Sequence, residues 1–215
     1  MTTYAGDTCQ LPGTSYAFGP RPGVIIYEYP TAHRPSTEKD SIVVGFKTRY
    51  PNAILLSVQC SVDGDYLLIT LEQGNAHIRY NLGSFDHHVS ELSVRVDDGK
   101  YHVLRFDRTE ANSSLWLDDR PPRLHAPSDE RQLFTLNMQY RVSLGGRPTE
   151  TDHRRPSFLR LRRRLRRTSA GLVGRTLIER PFTGVLTGVN YNGLRILDMH
   201  AQGDGRIRQL GDIAI

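Results

Sequence analysis

The feature that most constrains this chain is a rhythm of short apolar runs, each ended by turn residues. GVIIYEY (23–29), SIVVGFKTR (41–49), AILLSVQC (53–60), DYLLITLE (65–72), NAHIRYNL (75–82), YHVLRFDR (101–108), SSLWLDD (113–119), YRVSLGG (140–146), TGVLTGVNYNG (183–193) and LRILDMH (194–200) read as strands. In 75–82, Ala76, Ile78 and Tyr80 alternate with Asn75, His77 and Arg79. That period of two puts one face in a core and the other in solvent. QG between 65–72 and 75–82 has hairpin spacing. No convincing amphipathic helix lies outside one basic segment. Short strands with regular turns predict an all-β fold, an antiparallel β-sandwich or barrel.

The segment that breaks the rhythm is 147–181. It contains RRPSFLRLRRRLRR (154–167), in which eight of fourteen residues are arginine. The chain has 28 Lys+Arg against 23 Asp+Glu, so without those eight it is mildly acidic. Leu159, Leu161 and Leu165 give the segment some helical amphipathicity. A basic amphipathic segment can bind anionic surfaces. Arg160, Arg162, Arg163, Arg164, Arg166 and Arg167 are therefore candidate polyanion ligands, with heparan sulfate the extracellular choice because arginine forks match sulfate. No aromatic stacking platform accompanies the charge, so nucleic acid is not expected. A long insertion without function reads equally well from the residues alone.

Other function classes leave little trace. No apolar run approaches the ~20 residues that span a bilayer. MTTYAGDTCQLPG (1–13) lacks the apolar stretch of a signal peptide. Cys9 and Cys60 are the only cysteines; they could pair, or Cys9 could have a partner upstream. Tightly spaced zinc ligands are absent. His87 and His88 are adjacent, so on a strand they face opposite ways. Asp63 and Asp65, Asp97 and Asp98, and Asp118 and Asp119 could pair across a hydrolytic cleft. Each pair sits among turn residues, where Asp is favoured structurally, and no nucleophile motif exists, so the chain is not expected to be an enzyme.

Three motifs carry a family resemblance. DDGKYHVLRFDR (97–108) resembles a signature of laminin G-like domains, and FTGVLTGVNYNGLRILDM (182–199) resembles their C-terminal motif, where a strand hairpin closes the sandwich. GTSYAFGPRPGVIIYEYPTAHRPSTEKDSIVVGFKTR (13–49) resembles the start of the last laminin G-like (LNS) domain of neurexins, including RPST at 34–37. MTTYAGDTC (1–9) is similar to the end of the EGF-like module preceding that domain. The resemblance implies a jelly-roll, concanavalin-like antiparallel sandwich over 13–215 with one long loop inserted at about 147–180, and an EGF-like remnant at 1–12. It implies that Cys9 pairs upstream, and Cys60 then reads as a buried thiol.

The family also implies a calcium ion at the sandwich rim. The ligand set carried over is the Asp86 carboxylate, the Val103 and Thr135 backbone carbonyls, and the Asn137 amide oxygen, all oxygen donors as calcium requires. Asp86 and Asn137 would otherwise be ordinary turn residues. A neuroligin-like cell-surface partner is implied beside the metal, over Arg34, Pro35, Ser36, Thr37, Glu38, Arg131 and Phe134. Glu38 stands where a basic residue is expected, and Phe134 where a small polar one is; a rim charge reversal alters on-rate and specificity. Asn112-Ser113-Ser114 is an N-glycosylation sequon in a turn. Together these imply a calcium-dependent adhesion module on the outer face of a synaptic plasma membrane, anchored by parts outside this chain. The alternative is a glycan-binding laminin G-like module acting through the arginine segment.

Overall fold

A computed structural model describes residues 14–127, 133–149 and 177–215. Among them, the strands are β1 (Ser15–Glu28), β2 (Lys39–Lys47), β3 (Ala53–Cys60), β4 (Tyr66–Glu72), β5 (Asn75–Asn81), β6 (Asp86–Glu91), β7 (Tyr101–Thr109), β8 (Asn112–Leu117), β9 (Arg123–His125), β10 (Gln139–Leu144), β11 (Arg147–Thr149), β12 (Leu177–Glu179), β13 (Gly184–Tyr191) and β14 (Ile207–Ala214). A 3-10 turn spans Thr31–His33, and an α-helix, α1 (Ile196–Ala201), lies between the last two strands.

All pairings are antiparallel, in the order β6-β5-β4-β3-β10-β1-β13-β2-β7-β8-β9. The long strand β1 is the hinge of this path. Its first half pairs with β13 and its second half with β10, while β14 pairs with both halves. Pro20 and Pro22 cannot donate to a ladder, and the register shifts between Phe18 and Gly23. Gly211 crosses Pro22 so closely that a Cβ would sit 1.9 Å from the Pro22 carbonyl oxygen, at φ +82°. The ladder thereby folds on itself into a jelly-roll sandwich. Both halves feed one core: Ile42, Val44, Phe46 and Phe106 on one side, Val58, Ile69, Ile78 and Tyr80 on the other.

The alternation read in 75–82 holds: Ala76, Ile78 and Tyr80 are buried and their neighbours half-buried. The QG turn forms with Gln73 at φ 53° and Gly74 at φ 85°, as a two-residue hairpin with both central residues left-handed requires. Several elements differ from expectation, among them β6 and β9, which fall in segments not read as strands. LRILDMH forms helix α1 rather than a strand, burying Ile196 and Leu197, because a short apolar run does not distinguish the two by periodicity. The motif 182–199 is accordingly strand, turn and helix rather than a hairpin, and β14 closes the sandwich. The ends of the 147–181 segment are themselves paired, β11 with β12.

At one rim a buried ion pair ties the loops together. Arg108 and Asp40 have fully buried side chains, joined at 2.8 Å through Nε. The remaining Arg108 donors go to the carbonyls of Thr37, Phe134 and Glu110. Asp40 also accepts from the Thr37 hydroxyl, Asn192 Nδ2 and the Tyr191 hydroxyl. A buried charge persists only when paired and hydrogen-bonded in this way. Asp40→Ala is expected to lower stability by about 3–5 kcal/mol in urea unfolding, with an apolar pair at both positions recovering much of it. A loss below ~1 kcal/mol would show that the pair does not hold the rim.

Elsewhere, the carboxyls of Glu91 and Glu72 are held low. The Arg123 hydrogen bond, reinforced by Ser93 against the opposing effect of burial, keeps Glu91 at about 2; Arg79 does the same for Glu72. Both are protonated more readily in the unfolded chain, so their stabilisation is complete above the ordinary value of 4.5 and fades as pH falls toward 2. Urea midpoints are expected to drop between pH 4.5 and 2, and Glu91→Gln to flatten that drop.

Candidate functional site: a carboxylate–amide cluster at the rim

The loop entering β10 and the RPST turn meet at this same rim. Thr37 and Leu136 exchange backbone hydrogen bonds of 3.1 and 2.8 Å. The Thr37 hydroxyl donates to Asp40 and accepts from Gln139 Nε2. Pro35 O accepts from the Gln139 amide, and Ser36 Oγ from the Met138 amide. Arg34 donates to Ser61 Oγ and lies over the Tyr140 ring. Glu38 is exposed, with its carbonyl taken by the Glu110 amide. Phe134 is exposed while its carbonyl is held by Arg108. The structure thus gathers Arg34 to Glu38 and Phe134 on one surface. Arg131, Arg160, Arg162, Arg163, Arg164, Arg166 and Arg167 lie outside the described residues, as do Cys9 and the segment 1–12.

The metal candidates divide. Asn137 and Thr135 belong to the rim and touch, Asn137 Nδ2 lying 3.0 Å from Thr135 O. Asp86 also sits at this end of the sheet, opposite Asn81. Its Oδ1 accepts from Tyr66 and Asn81, and no described contact joins it to Asn137 or Thr135. Val103 does not reach the rim. It pairs with Gly45, whereas the rim end of β7 is Thr109, opposite Lys39; at ~3.3 Å per residue the separation is about 20 Å. Its backbone is also committed, the amide donating to Asp118 Oδ1 and the carbonyl accepting from Asp118 N. Val103 is therefore not a member of this site.

A residue not placed in the ligand set takes the central position. Asp65 is 5% exposed in the turn before β4. Its Oδ2 accepts from both Asn137 N at 2.8 Å and Asn137 Nδ2 at 3.0 Å. Its Oδ1 is buried and has no hydrogen-bond partner. The Leu82–Gly83 backbone runs against it, so that a Cβ on Gly83 would lie 3.1 Å from Oδ1. A buried carboxylate oxygen left unpaired is costly. The Asp65 charge reaches Cys60, whose thiol burial and then Asp65 and Asp40 push up to about 12, leaving it protonated and unreactive. In sequence, Asp65 resembles any turn aspartate; only the Asp-Gly-Asp turn marked it as acidic.

The cluster has the donors of a hard-cation site: one carboxylate, the Thr135 carbonyl and the Asn137 amide. The amide oxygen and nitrogen are distinguished only by their hydrogen bonds; turned over, it presents its oxygen beside Asp65. Among the described residues no group of three or more His, Cys, Asp or Glu side chains could hold a metal, so such a site depends on carbonyl, amide and water oxygens. Val62, Phe85, Leu133, Phe134 and Met138, close in sequence to these residues, are all exposed. Of the other paired carboxylates, Asp97 bonds Arg95, while Asp98 and Asp118 hold His102 from two sides. Asn112 is exposed at the first position of β8, with Ser113 turned inward onto the Tyr80 hydroxyl.

This architecture is an antiparallel jelly-roll β-sandwich whose rim loops are tied by polar contacts. The family pattern described as Laminin G domain matches residues 46–194, and the chain belongs to that family. Among curated relatives it is similar to Neurexin-3a of Danio rerio, 36% identical across the whole chain and 13% of the relative, and to Neurexin 1 of Drosophila melanogaster, 34% identical across the whole chain and 10% of the relative. Neurexin-1a-beta of Danio rerio is 37% identical over 93% of the chain and 45% of its own length. The chain thus spans less than half of these relatives. Among solved structures, the LG1-3 region of the laminin alpha2 chain superimposes with TM-score 0.62 at 18% identity, over 88% of this chain and 33% of that one. A heptameric pentraxin from Limulus polyphemus shares the fold at TM-score 0.58 and 9% identity, over 93% of both chains.

The turn bonds separate scaffold from surface. Thr37→Ala strips Asp40 and Gln139 of a half-buried partner and is expected to lower stability by about 1–3 kcal/mol, whereas exposed Ser36→Ala should lose under ~1 kcal/mol. Equal losses in urea unfolding would show that Thr37 does not anchor the turn.

Proposed function

We propose that this domain is an extracellular adhesion or receptor module that binds a neuroligin-like ectodomain at the rim, dependent on calcium and without catalytic activity. The observation that carries the reading is the buried, unpaired Asp65 Oδ1 beside Asn137. Asp65, Asn137 and the Thr135 carbonyl would hold the ion, with the adjacent Leu82–Gly83 backbone and water able to supply further oxygens. This set differs from the one carried over by resemblance: Asp65 takes the carboxylate role given to Asp86, and Val103 leaves it. When bound, calcium supplies a fixed positive charge whose waters can bridge to acceptors on a partner. One carboxylate implies weak affinity, within the roughly 10⁻⁴–10⁻³ M range of extracellular modules.

The chain's own residues do the remaining work. Arg108 and Asp40 hold the RPST turn and Phe134 in place. Exposed Leu133, Phe134 and Met138 offer the apolar centre of an interface, and Arg34, Ser36 and Glu38 its polar border. Exposed Asn112 suits a glycan on the surface.

Millimolar calcium is expected to raise the melting temperature of the chain and not that of Asp65→Asn, since only a bound ligand stabilises the native state. Binding to a neuroligin ectodomain should vanish in chelator and in Asp65→Ala, and persist in Asp86→Ala. Binding lost in Asp86→Ala but kept in Asp65→Ala would return the carboxylate role to Asp86. Binding indifferent to chelator would overturn the calcium dependence altogether.

A further inference from the structure

The sandwich is closed on one side and open on the other. β1 and β14 run through both halves, so backbone hydrogen bonds carry the sheet around that side. The two ends of the ladder, β6 and β9, meet on the other side, where among the described residues no strand pairing joins them. Side chains close this seam. His87 Nδ1 of β6 and His125 Nε2 of β9 share a hydrogen bond of 3.2 Å. Arg123 of β9 donates to Glu91 of β6 at 2.8 Å. Tyr80 of β5 stacks on His87 with ring centres 4.7 Å apart, and its hydroxyl reaches Ala111 O and Ser113 Oγ in the opposite half.

β6 carries a second imidazole pair on its other face. His88 Nε2 lies 2.9 Å from His77 Nδ1 of β5. The two ring planes are within 7°, and their centres are 5.2 Å apart. That spacing exceeds the N···N distance by about one ring width, so the rings lie edge to edge along the hydrogen bond. Two imidazoles joined in this way need one of the facing nitrogens bare. One added proton is tolerated, because the charged ring remains the donor. A second makes both facing nitrogens donors, which breaks the bond and sets like charges together. At His87 the cost is larger still. It is 3% exposed and its Nε2 is buried without a partner, so its charged form would bury an N–H that has no acceptor.

Burial holds all four imidazoles below the ordinary value of 6.5. At the seam the neighbouring charges add to it. His125 and Arg108 of β7 act against a charge on His87, with Asp86 of its own strand in favour, and His88 acts against one on His125. At the outer pair Arg79 opposes the charge and Glu72 favours it, but Glu72 is already held by Arg79 and Arg180. The unfolded chain therefore takes up these protons first. The stabilisation is complete above 6.5 and is lost as pH falls below it. Glu91, held at about 2, does not titrate in that range.

We propose that the β6–β9 seam is an acid-released latch: on mild acidification, protonation of the His87–His125 pair parts β6 from β9 while β1 and β14 keep the other side closed. His77–His88 has the smaller part, because the backbone ladder of β5 and β6 holds those strands together without it. The segment entering β6 includes Gly83, beside Asp65 Oδ1, so the opening reaches the rim without depending on what binds there.

The test is amide hydrogen exchange of the full chain at about pH 7.5 and about pH 5.5, which bracket histidine titration. Rates are read as protection factors, so that the intrinsic pH dependence of exchange is removed. Protection in β6 and β9 is expected to fall about tenfold or more on acidification and to end well below that of β1 and β10. His125→Gln, at a half-buried position, cannot take the charge and should remove most of the loss. His77→Gln should remove less, and His33→Gln, in an exposed turn, none. Unchanged protection on acidification would overturn the proposal, as would a loss that brings β1 and β10 down to the level of β6 and β9. So would a loss undiminished in His125→Gln, one removed more fully by His77→Gln, or one abolished by Glu91→Gln, which would move the sensor to the carboxylate.

Discussion

The rim of this sandwich depends on Arg108 and Asp40. A buried guanidinium and carboxylate gain little from each other alone, because both have left water. Their value here is geometric. Arg108 spends its remaining donors on the carbonyls of Thr37, Phe134 and Glu110, and Asp40 its remaining lone pairs on Thr37, Asn192 and Tyr191. Five chain segments therefore meet on one charge pair: the RPST turn, the start of β2, the β7–β8 turn, the loop before β10 and the turn after β13. Each segment is short and irregular, and without the pair each would need its own means of fixing position. The rim can carry exposed apolar side chains at Leu133, Phe134 and Met138 because their backbones are held from beneath.

This arrangement explains which parts of the molecule were legible in the sequence. Strands such as Asn75–Asn81 were readable because alternation is local and every second side chain meets the core. The Gln73–Gly74 turn was readable because left-handed backbone restricts residue choice. RPST was readable as a motif, although the work of Thr37 inside it was not. Asp65 was invisible for a physical reason. Its partner Asn137 is 72 residues away, and only the β3–β10 pairing brings the two together. Val103 misled for the converse reason: a backbone carbonyl has no residue signature, and only register shows that it lies toward the other end of β7. Ile196–Ala201 was read as a strand since so short an apolar run fits either structure, and packing against β13 and β14 decided it.

The rim has a neighbour of opposite sign, the arginine-lined cleft between the end of β1 and β14. Tyr140 borders both, lining the cleft with Arg34 on one side and the hollow containing Cys60 and Asp65 on the other. Arg34 spans the divide through its bond to Ser61 and its contact with the Tyr140 ring. The same argument accounts for both signs. Each site leaves a charged atom short of partners, Asp65 Oδ1 in one case and Arg34 Nε in the other. A folded chain tolerates few such atoms, because each forfeits hydration without replacement. Two of them within one short stretch of surface, with opposite charge, mark places where the fold has given up stability. The Asp65 oxygen and the Arg34 nitrogen stand on either side of Tyr140, and at each the fold removes hydration from a charged group without replacing it.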